Sequence, residues 1–335
     1  SEGGVRAEHV HTAHVKFYMK KAYVTGATGA IGMALVAELL KNNIEVKVFL
    51  RKDSERSGRI AESFGEELKS GNISVEYVSL EELKHFMENV YTQGRQDSVF
   101  YHLGWSGTFG KLRNDAGLQQ KNVEYTLDAV RLADRLGCTK FIGVGSQAEY
   151  GRVSTRLTPD TDTAPENEYG RAKLAAGVSS RELCRELGIE HAWVRVLSVY
   201  GPYDGMNTMI TSVIRGLLKG DRVSLTKGEQ MWNYLYSEDA GKELYLLGAK
   251  AVRNGAVYIL AGSEEHSLKE YVVRLCRAMD ADDKLLGFGD VLYGAGQVMC
   301  LTADISALCS DTGYIPDTIF EDGIKKTAEW VKSLS

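Results

Sequence analysis

The amino-acid sequence predicts an α/β fold: a doubly wound parallel sheet with a second, smaller and mostly helical region. Three observations indicate this class. Short apolar runs alternate with longer amphipathic ones from residue 22 onward, a glycine-rich turn directly follows the first apolar run, and 35 glycines accompany only 4 prolines. Alternating strands and helices favour a parallel sheet with helices on both faces, because right-handed crossovers place the helices there.

Seven apolar runs are predicted as the strands of the main sheet: Ala22–Thr25, Val46–Leu50, Ile73–Val78, Ser98–Leu103, Phe141–Val144, Ala192–Val196 and Val257–Leu260. Amphipathic segments between them are predicted as helices at Ile31–Lys41, Glu81–Val90, Val123–Leu136 and Tyr169–Leu187. After Val196 the alternation becomes irregular, because Gly201 and Pro202 interrupt the chain. The elements predicted beyond this point are a helix at Met209–Leu218, short strands at Val223–Leu225 and Tyr234–Tyr236, and then mostly helix and loop.

These elements divide the chain into a leader and two regions. Residues 19–200 and 237–262 are predicted to form the domain that contains the sheet, and residues 201–236 and 263–335 the second region. Residues 1–18 lack the apolar core of a signal peptide and are predicted to be a disordered leader. Three histidines of this leader are interpreted as non-functional rather than metal-binding: His9, His11 and His14.

Charge and cysteine content exclude several classes of function. Lys and Arg total 40 against 45 Asp and Glu, and no basic cluster indicates binding of nucleic acid. The longest uncharged run, Ala22–Ala37, is shorter than the ~20 apolar residues of a membrane span. The 5 cysteines show no C-x-x-C spacing, which disfavours a disulfide framework or a zinc site. We therefore expect a cytoplasmic protein without a metal centre.

The turn between the first strand and the first helix carries three glycines with distinct roles. Gly26 permits a tight turn, Gly29 lets backbone N–H groups approach a pyrophosphate, and Gly32 lets the helix pack on the strand. This spacing inside a βαβ unit predicts a Rossmann-type dinucleotide site. The predicted cofactor contacts in the turn are Gly26, Thr28, Gly29, Ala30, Ile31 and Gly32.

The end of the second strand bears on the choice of cofactor. NAD enzymes usually place an acid there for the ribose 2′-hydroxyl, whereas a cation accommodates the 2′-phosphate of NADP. Arg51 occupies this position, so the sequence favours NADP, with Lys52 or Ser54 assisting. The alternative is NAD, with Asp53 in the acid role.

A tyrosine and a lysine lie four residues apart at the start of a predicted helix. Tyr169 and Lys173 share one helix face, where the ammonium can stabilise the phenolate and let the phenol exchange a proton near neutral pH. Ser146 follows the fifth strand, at the sheet edge where ligands bind, and can hold a substrate oxygen. We predict that these three residues are catalytic.

These motifs resemble the extended short-chain dehydrogenase/reductase family, in its NAD-dependent epimerase/dehydratase branch, whose members mostly act on nucleotide sugars. The resemblance covers residues 20 to about 332 and lies in Thr25–Gly32, His102–Trp105, Asn122–Val123, Ser146–Gly151, the Tyr169 and Lys173 pair, Arg195–Pro202, Asp304, Gly313–Pro316 and Phe320–Gly323. It implies that Lys173 also binds the nicotinamide ribose and that Leu103, Gly104 and Asn122 contact the cofactor. Trp105 stands where the family usually has alanine, and His102 is interpreted as a strand-end residue rather than a catalyst.

Other departures from the family pattern narrow the predicted reaction. The Asp-Glu pair of the dehydratases is replaced by Gln147 and Ala148, which disfavours dehydration. Ser198 replaces the asparagine of the family's N-V-Y-G-P motif, and Trp232 replaces an arginine that grips the diphosphate.

We predict from these features an NADP-dependent reductase of a keto group on a nucleotide-activated sugar, such as a 4-keto-6-deoxyhexose. The alternatives are an NAD-dependent 4-epimerase and a non-enzymatic NAD(P)-binding sensor. The family also implies a homodimer formed by the helices at Val123–Leu136 and Tyr169–Leu187.

Overall fold

The computed structural model describes residues 18–334. Its strands, in chain order, are β1 (Lys21–Thr25), β2 (Glu45–Leu50), β3 (Ile73–Tyr77), β4 (Gln96–His102), β5 (Cys138–Ser146), β6 (Glu190–Val196), β7 (Ser198–Tyr200), β8 (Val223–Leu225), β9 (Met231–Trp232), β10 (Tyr234–Tyr236), β11 (Ala256–Leu260), β12 (His266–Ser267), β13 (Leu286–Phe288) and β14 (Cys300–Leu301). The α-helices are α1 (Ala30–Lys41), α2 (Gly58–Ser63), α3 (Gly65–Ser70), α4 (Leu83–Glu88), α5 (Ala116–Arg135), α6 (Glu168–Leu187), α7 (Met209–Lys219), α8 (Ser237–Ala249), α9 (Leu268–Ala278), α10 (Ser306–Thr312) and α11 (Phe320–Ser333).

Seven strands form one parallel sheet in the order β11-β6-β5-β4-β1-β2-β3. The chain winds outward from β1 to β3 on one side and from β4 to β11 on the other, so the direction of winding reverses between β1 and β4. In sheets of this kind, ligands bind at such a reversal, beyond the carboxyl ends of the strands. The predicted fold class is confirmed.

Helices cover both faces of this sheet. On one face α1 packs beside α8, over a core that includes Val24, Val46 and Val48. On the other face α5 packs beside α6, over a core that includes Phe100 and Phe141. The strands are apolar on both faces because both are covered by helices, as expected of parallel sheets.

One predicted helix differs from the structure, and two short helices were not predicted, each for an identifiable reason. The helix predicted at Glu81–Val90 is a 3-10 turn followed by α4, because Ser79 and Glu82 form a capping box that starts a separate turn. The short helices α2 and α3 were not predicted, since they contribute only one fully buried residue, Ile60, and leave little apolar periodicity to detect.

The second region is built mainly from helices α7, α9 and α11, which pack together around a separate apolar cluster. Among its buried members are Ile214, Leu275 and Ile324. In the sequence, α8 and β11 lie between α7 and α9, but they pack elsewhere. Strand β11 pairs with β6 at the edge of the main sheet, and α8 packs on α1. The division into two domains at the boundaries given above stays a prediction.

The predicted leader at residues 1–18 lies outside the described residues except for Tyr18. Within residues 18–334, no helix is long and apolar enough to cross a membrane.

Candidate active site

The glycine turn joins β1 to α1 at the reversal point of the sheet. Gly26 has a φ of +72°, and a Cβ there would lie 2.6 Å from the Gly104 nitrogen, so only glycine fits against the end of β4. A Cβ at Gly32 would overlap the Gly26 carbonyl oxygen. The backbone of this turn is therefore held tightly by its neighbours on the protein side.

The other side of the same turn is open. A Cβ at Gly29 would meet no described atom within 4 Å, and no side chain caps the start of α1 at this residue. The first N–H groups of α1 thus face the cleft with the positive end of the helix dipole. A pyrophosphate fits such a cradle, because its oxygens accept hydrogen bonds from helix N-termini.

The end of β2 and the segment that leads to α2 form one wall of the cleft, which we call the β2–α2 wall. Arg51, Asp53 and Arg56 line it, whereas Lys52 does not. Arg59 stands next to this wall, donating hydrogen bonds to the Thr28 carbonyl at 2.7 Å and to the backbone of the second region. Arg51 and Arg56 therefore lie where a dinucleotide would place its adenosine end.

Leu103 and Gly104, for which the family resemblance implies cofactor contacts, line the cleft beside the glycine turn. Asn122 does not line it. Its side chain is buried under the β4–α5 loop, where it accepts from the Ser106 N–H at 2.9 Å and donates to the Ser106 carbonyl at 2.8 Å. Asn122 therefore fixes the β4–α5 loop, part of which lines the cleft.

Ser146 and Tyr169 converge at the carboxyl end of β5. Tyr169 lies in the first turn of α6, which begins at Glu168 because the Asn167 side chain accepts from the Gly170 N–H at 2.7 Å. Burial raises the pKa of the Tyr169 phenol, and a hydrogen bond with Ser146 partly offsets that rise. Both side chains are largely buried, and the small part of each that stays exposed lines the cleft.

Lys173 completes the predicted group from the next turn of α6. Its ammonium donates to the Val144 carbonyl at 2.7 Å and lies 3.9 Å from the ring centroid of Trp105 and 5.8 Å from that of Tyr169. Burial lowers the pKa of Lys173 to about 7. The structure therefore brings Ser146, Tyr169 and Lys173 together at one edge of the sheet.

His102 ends β4 close to Lys173. Its ring nitrogens lie 2.9 Å from the Thr25 hydroxyl and 3.2 Å from the Thr126 hydroxyl, and burial lowers its pKa to about 3. A neutral, fully buried imidazole between two hydroxyls links β1, β4 and α5. This placement agrees with the prediction that His102 is a strand-end residue.

A buried carboxylate behind Ser146 was missed by the sequence analysis. Glu149 accepts from the Ser146 N–H at 2.9 Å, from the Trp193 indole at 3.0 Å and from Arg195 at 2.6 Å. The signal was present in the sequence, since a serine followed three residues later by glutamate is a capping box. Glu149 fixes the backbone that carries Ser146.

The part of the cleft lining that comes from the second region includes three aromatic residues. These are Tyr203, Trp232 and Tyr234, and the Trp232 indole donates to the Ser198 hydroxyl at 2.9 Å. Outside the β2–α2 wall, Lys173 is the one lysine or arginine among the described residues that line the cleft. The whole cleft has a volume of about 1290 Å³, large enough for a dinucleotide and a second ligand together.

The sequence model of the NAD dependent epimerase/dehydratase family matches residues 22–261, which include the glycine turn, Ser146, Tyr169 and Lys173. The chain belongs to this family. Its match confirms the family that the motifs resembled.

Relatives cover nearly the whole chain. A dTDP-glucose 4,6-dehydratase from Escherichia coli is 24% identical over an alignment of 340 positions, which covers 92% of this chain and 93% of that protein. Among solved structures, the UDP-N-acetylglucosamine 4-epimerase from Methanobrevibacter ruminantium M1 has a TM-score of 0.81 at 20% identity, covering 95% of this chain and 99% of its own. The UDP-glucuronic acid 4-epimerase from Bacillus cereus, in complex with NAD, has a TM-score of 0.77 at 22% identity, covering 94% of this chain and 97% of its own.

These matches agree with the family assignment given by residues 22–261. The relatives named above are a dehydratase and two epimerases of nucleotide sugars. At this identity the solved structures establish the shared fold.

Proposed function

We propose that this family member is an NADP-dependent reductase of a keto group on a nucleotide-activated sugar, such as a 4-keto-6-deoxyhexose. One observation carries the proposal. Ser146, Tyr169 and Lys173 converge in the same cleft as the glycine turn, while the residues directly after Ser146 offer no acid or base to the cleft. This arrangement supports hydride transfer with protonation of an oxygen.

Each of the three side chains has a role in this reaction. When bound, the nicotinamide cofactor supplies the hydride to the carbonyl carbon. Tyr169 donates its phenolic proton to the carbonyl oxygen, and burial favours the protonated phenol that this step needs. Ser146 holds the same oxygen by a hydrogen bond, and Lys173 stabilises the phenolate that remains.

Dehydration is disfavoured because it needs further groups that move protons at neighbouring carbons. Gln147 and Ala148 occupy the positions of the dehydratases' Asp-Glu pair. The nearby carboxylate, Glu149, has no exposed surface and is held by Arg195 and Trp193. It is therefore not available to a substrate.

The preference for NADP is supported by the β2–α2 wall. Arg51 and Arg56 line the cleft there, and guanidinium groups bind phosphate through paired hydrogen bonds. Asp53 lines the same wall and supports the alternative with NAD. Glu55 also lines this wall, so its two arginines are matched by two acids, and the proposal rests on the placement of Arg51 at the end of β2 rather than on net charge.

The nucleotide part of the substrate is proposed from the relatives and from the second region. Three aromatic residues of the second region, Tyr203, Trp232 and Tyr234, line the cleft, and aromatic side chains are suited to contact with a nucleotide base. A cytoplasmic location is part of the proposal and rests on the cysteines, all 5 of which are unpaired.

A 4-epimerase is the second candidate, supported by the fold shared with two 4-epimerases, one of them in complex with NAD. Mass spectrometry of small molecules released from the denatured protein separates the candidates. Release of NADP, or of no dinucleotide, agrees with a reductase that exchanges its cofactor. Release of one NAD per chain would favour an epimerase that retains it. A sensor would bind the dinucleotide but show no turnover with any keto sugar.

A further inference from the structure

The Tyr169 ring is in contact with a cation outside the predicted catalytic group. The guanidinium carbon of Arg113 lies 4.2 Å from the Tyr169 ring centroid. Arg113 is held in place because it donates to the Thr108 carbonyl at 3.0 Å, and its neighbour Asn114 accepts from the Glu168 N–H at 3.4 Å. The 3-10 turn that carries Arg113 is thereby fixed against the start of α6.

Lys173 is the more distant cation. Its ammonium lies 5.8 Å from the same ring centroid, and its nearer partners are the Val144 carbonyl at 2.7 Å and the Trp105 ring at 3.9 Å. Burial lowers the pKa of Lys173 to about 7, so a part of these side chains is uncharged near neutral pH. An arginine keeps its charge throughout this range.

We propose that Arg113 is a positioning residue, which holds the Tyr169 ring by stacking on it and supplies the permanent positive charge that stabilises the phenolate. Lys173 is then the more distant, titratable partner. The inference rests on the proposed role of Tyr169 as proton donor. A cation over a ring face favours the ionised ring, because the phenolate spreads negative charge over its π system.

The other charged groups around Tyr169 do not replace Arg113. Glu149 acts in the opposite direction and raises the pKa of Tyr169, although its own charge is balanced by Arg195 at 2.6 Å. His102, near Lys173, is neutral at physiological pH because burial lowers its pKa to about 3. Glu168, next to Tyr169 in the sequence, pairs with Arg171.

The test places difluorotyrosine, whose phenol ionises at a lower pH than tyrosine, at position 169 and follows its titration by fluorine NMR. The full chain is used without cofactor or sugar. We expect Arg113→Met to raise the apparent pKa of this ring by about one unit, an approximately tenfold weaker acid. Arg113→Lys, which restores a positive charge without the planar group, should recover part of the shift.

Lys111→Met is the matched control, since it removes a positive charge from the same 3-10 turn at an exposed position. It should titrate like the parent chain. A parent-like titration of Arg113→Met, or an equal shift in Lys111→Met, would overturn the proposal. Circular dichroism verifies folding, and Arg113→Gln replaces the Met variant if that variant is unfolded. Because no turnover is measured, failure of the proposed reductase activity would not be confused with failure of this inference.

Discussion

Burial acts in opposite directions on Tyr169 and Lys173, the two titratable side chains of the predicted catalytic group. It raises the pKa of the Tyr169 phenol and lowers that of the Lys173 ammonium to about 7. Both shifts favour the uncharged side chain at neutral pH. For a residue that protonates a carbonyl oxygen, the neutral phenol is the competent form.

Removal of the Tyr169 hydroxyl should separate chemistry from cofactor binding. We expect Tyr169→Phe to lower turnover by about 10²–10⁴-fold, because the proton donor is lost, and to leave the NADPH dissociation constant nearly unchanged. Lys173→Met should impair both, since its ammonium is also proposed to bind the ribose. Fluorescence titration with NADPH and a turnover assay measure the two effects. Near-normal activity of Tyr169→Phe would exclude its assigned role.

Arg51 is expected to decide the choice of cofactor. Arg51→Asp should reverse the preference toward NADH, because it replaces a cation suited to a 2′-phosphate with an acid suited to a 2′-hydroxyl. The dissociation constants of NADPH and NADH are compared in both proteins. Lys52→Asp makes the same charge change outside the cleft lining and should shift the preference less. Tighter binding of NADH than of NADPH by the parent chain would contradict the NADP proposal.

At the scale of elements, the site consists of strand ends and the turns that follow them. The glycine turn after β1 and the pairing of Tyr169 with Lys173 on α6 were predictable, because each depends on residues close together in the sequence. The contacts of Trp105 and Arg113 with the catalytic side chains were not, since the β4–α5 loop has no periodicity that would place it against α6. Local patterns predict elements, but the packing of loops on helices depends on tertiary contacts.

Helix α8 carries a buried carboxyl group that should make stability depend on pH. Neither Glu243 oxygen has a hydrogen-bond partner in the described structure, and burial raises the pKa of this group to about 7. The nearby Thr312 hydroxyl offsets the rise only in part and donates its own hydrogen bond to the Leu308 carbonyl. The folded protein binds this proton more tightly than the unfolded chain does. The contribution of Glu243 to the free energy of unfolding is therefore fully present below about pH 4 and is lost as pH rises toward 7.

Glu243→Gln should therefore stabilise the protein selectively at higher pH. We expect its gain in free energy of unfolding to be about 2 kcal/mol larger at pH 8 than at pH 5. Urea denaturation at the two pH values measures this difference. Glu329→Gln on the exposed side of α11 is the control and should show no comparable change. An equal effect of Glu243→Gln at both pH values would contradict the account.

At the scale of the whole molecule, the outer faces of α5 and α6 remain the proposed dimer surface. The structure shows which residues of α6 face outward and which face the sheet. Ala176 and Gly177 pack inward on Trp193, so they serve contact with the sheet rather than with a partner. Ala175 and Val178 point outward, and Val178 is 40% exposed. An exposed valine on α6 fits an apolar contact across a two-fold axis.

We predict a homodimer that Val178→Arg separates, because two arginines would face each other across the axis. Light scattering at micromolar concentration should give about twice the chain mass of 36.9 kDa for the parent and one chain mass for the variant. Arg185→Ala, at another exposed position of α6, is the control. A parent protein with the mass of one chain would contradict the predicted dimer.

The transfer of deuterium from labelled NADPH tests the central proposal most directly. The protein is incubated with NADPH carrying deuterium at the transferable position and with a 4-keto-6-deoxy nucleotide sugar, and the product is examined by mass spectrometry and NMR. We expect one deuterium on the reduced carbon, one NADPH consumed for each product formed, and no transfer by Tyr169→Phe. Interconversion of two hydroxy sugars without consumption of NADPH and without label in the product would contradict it.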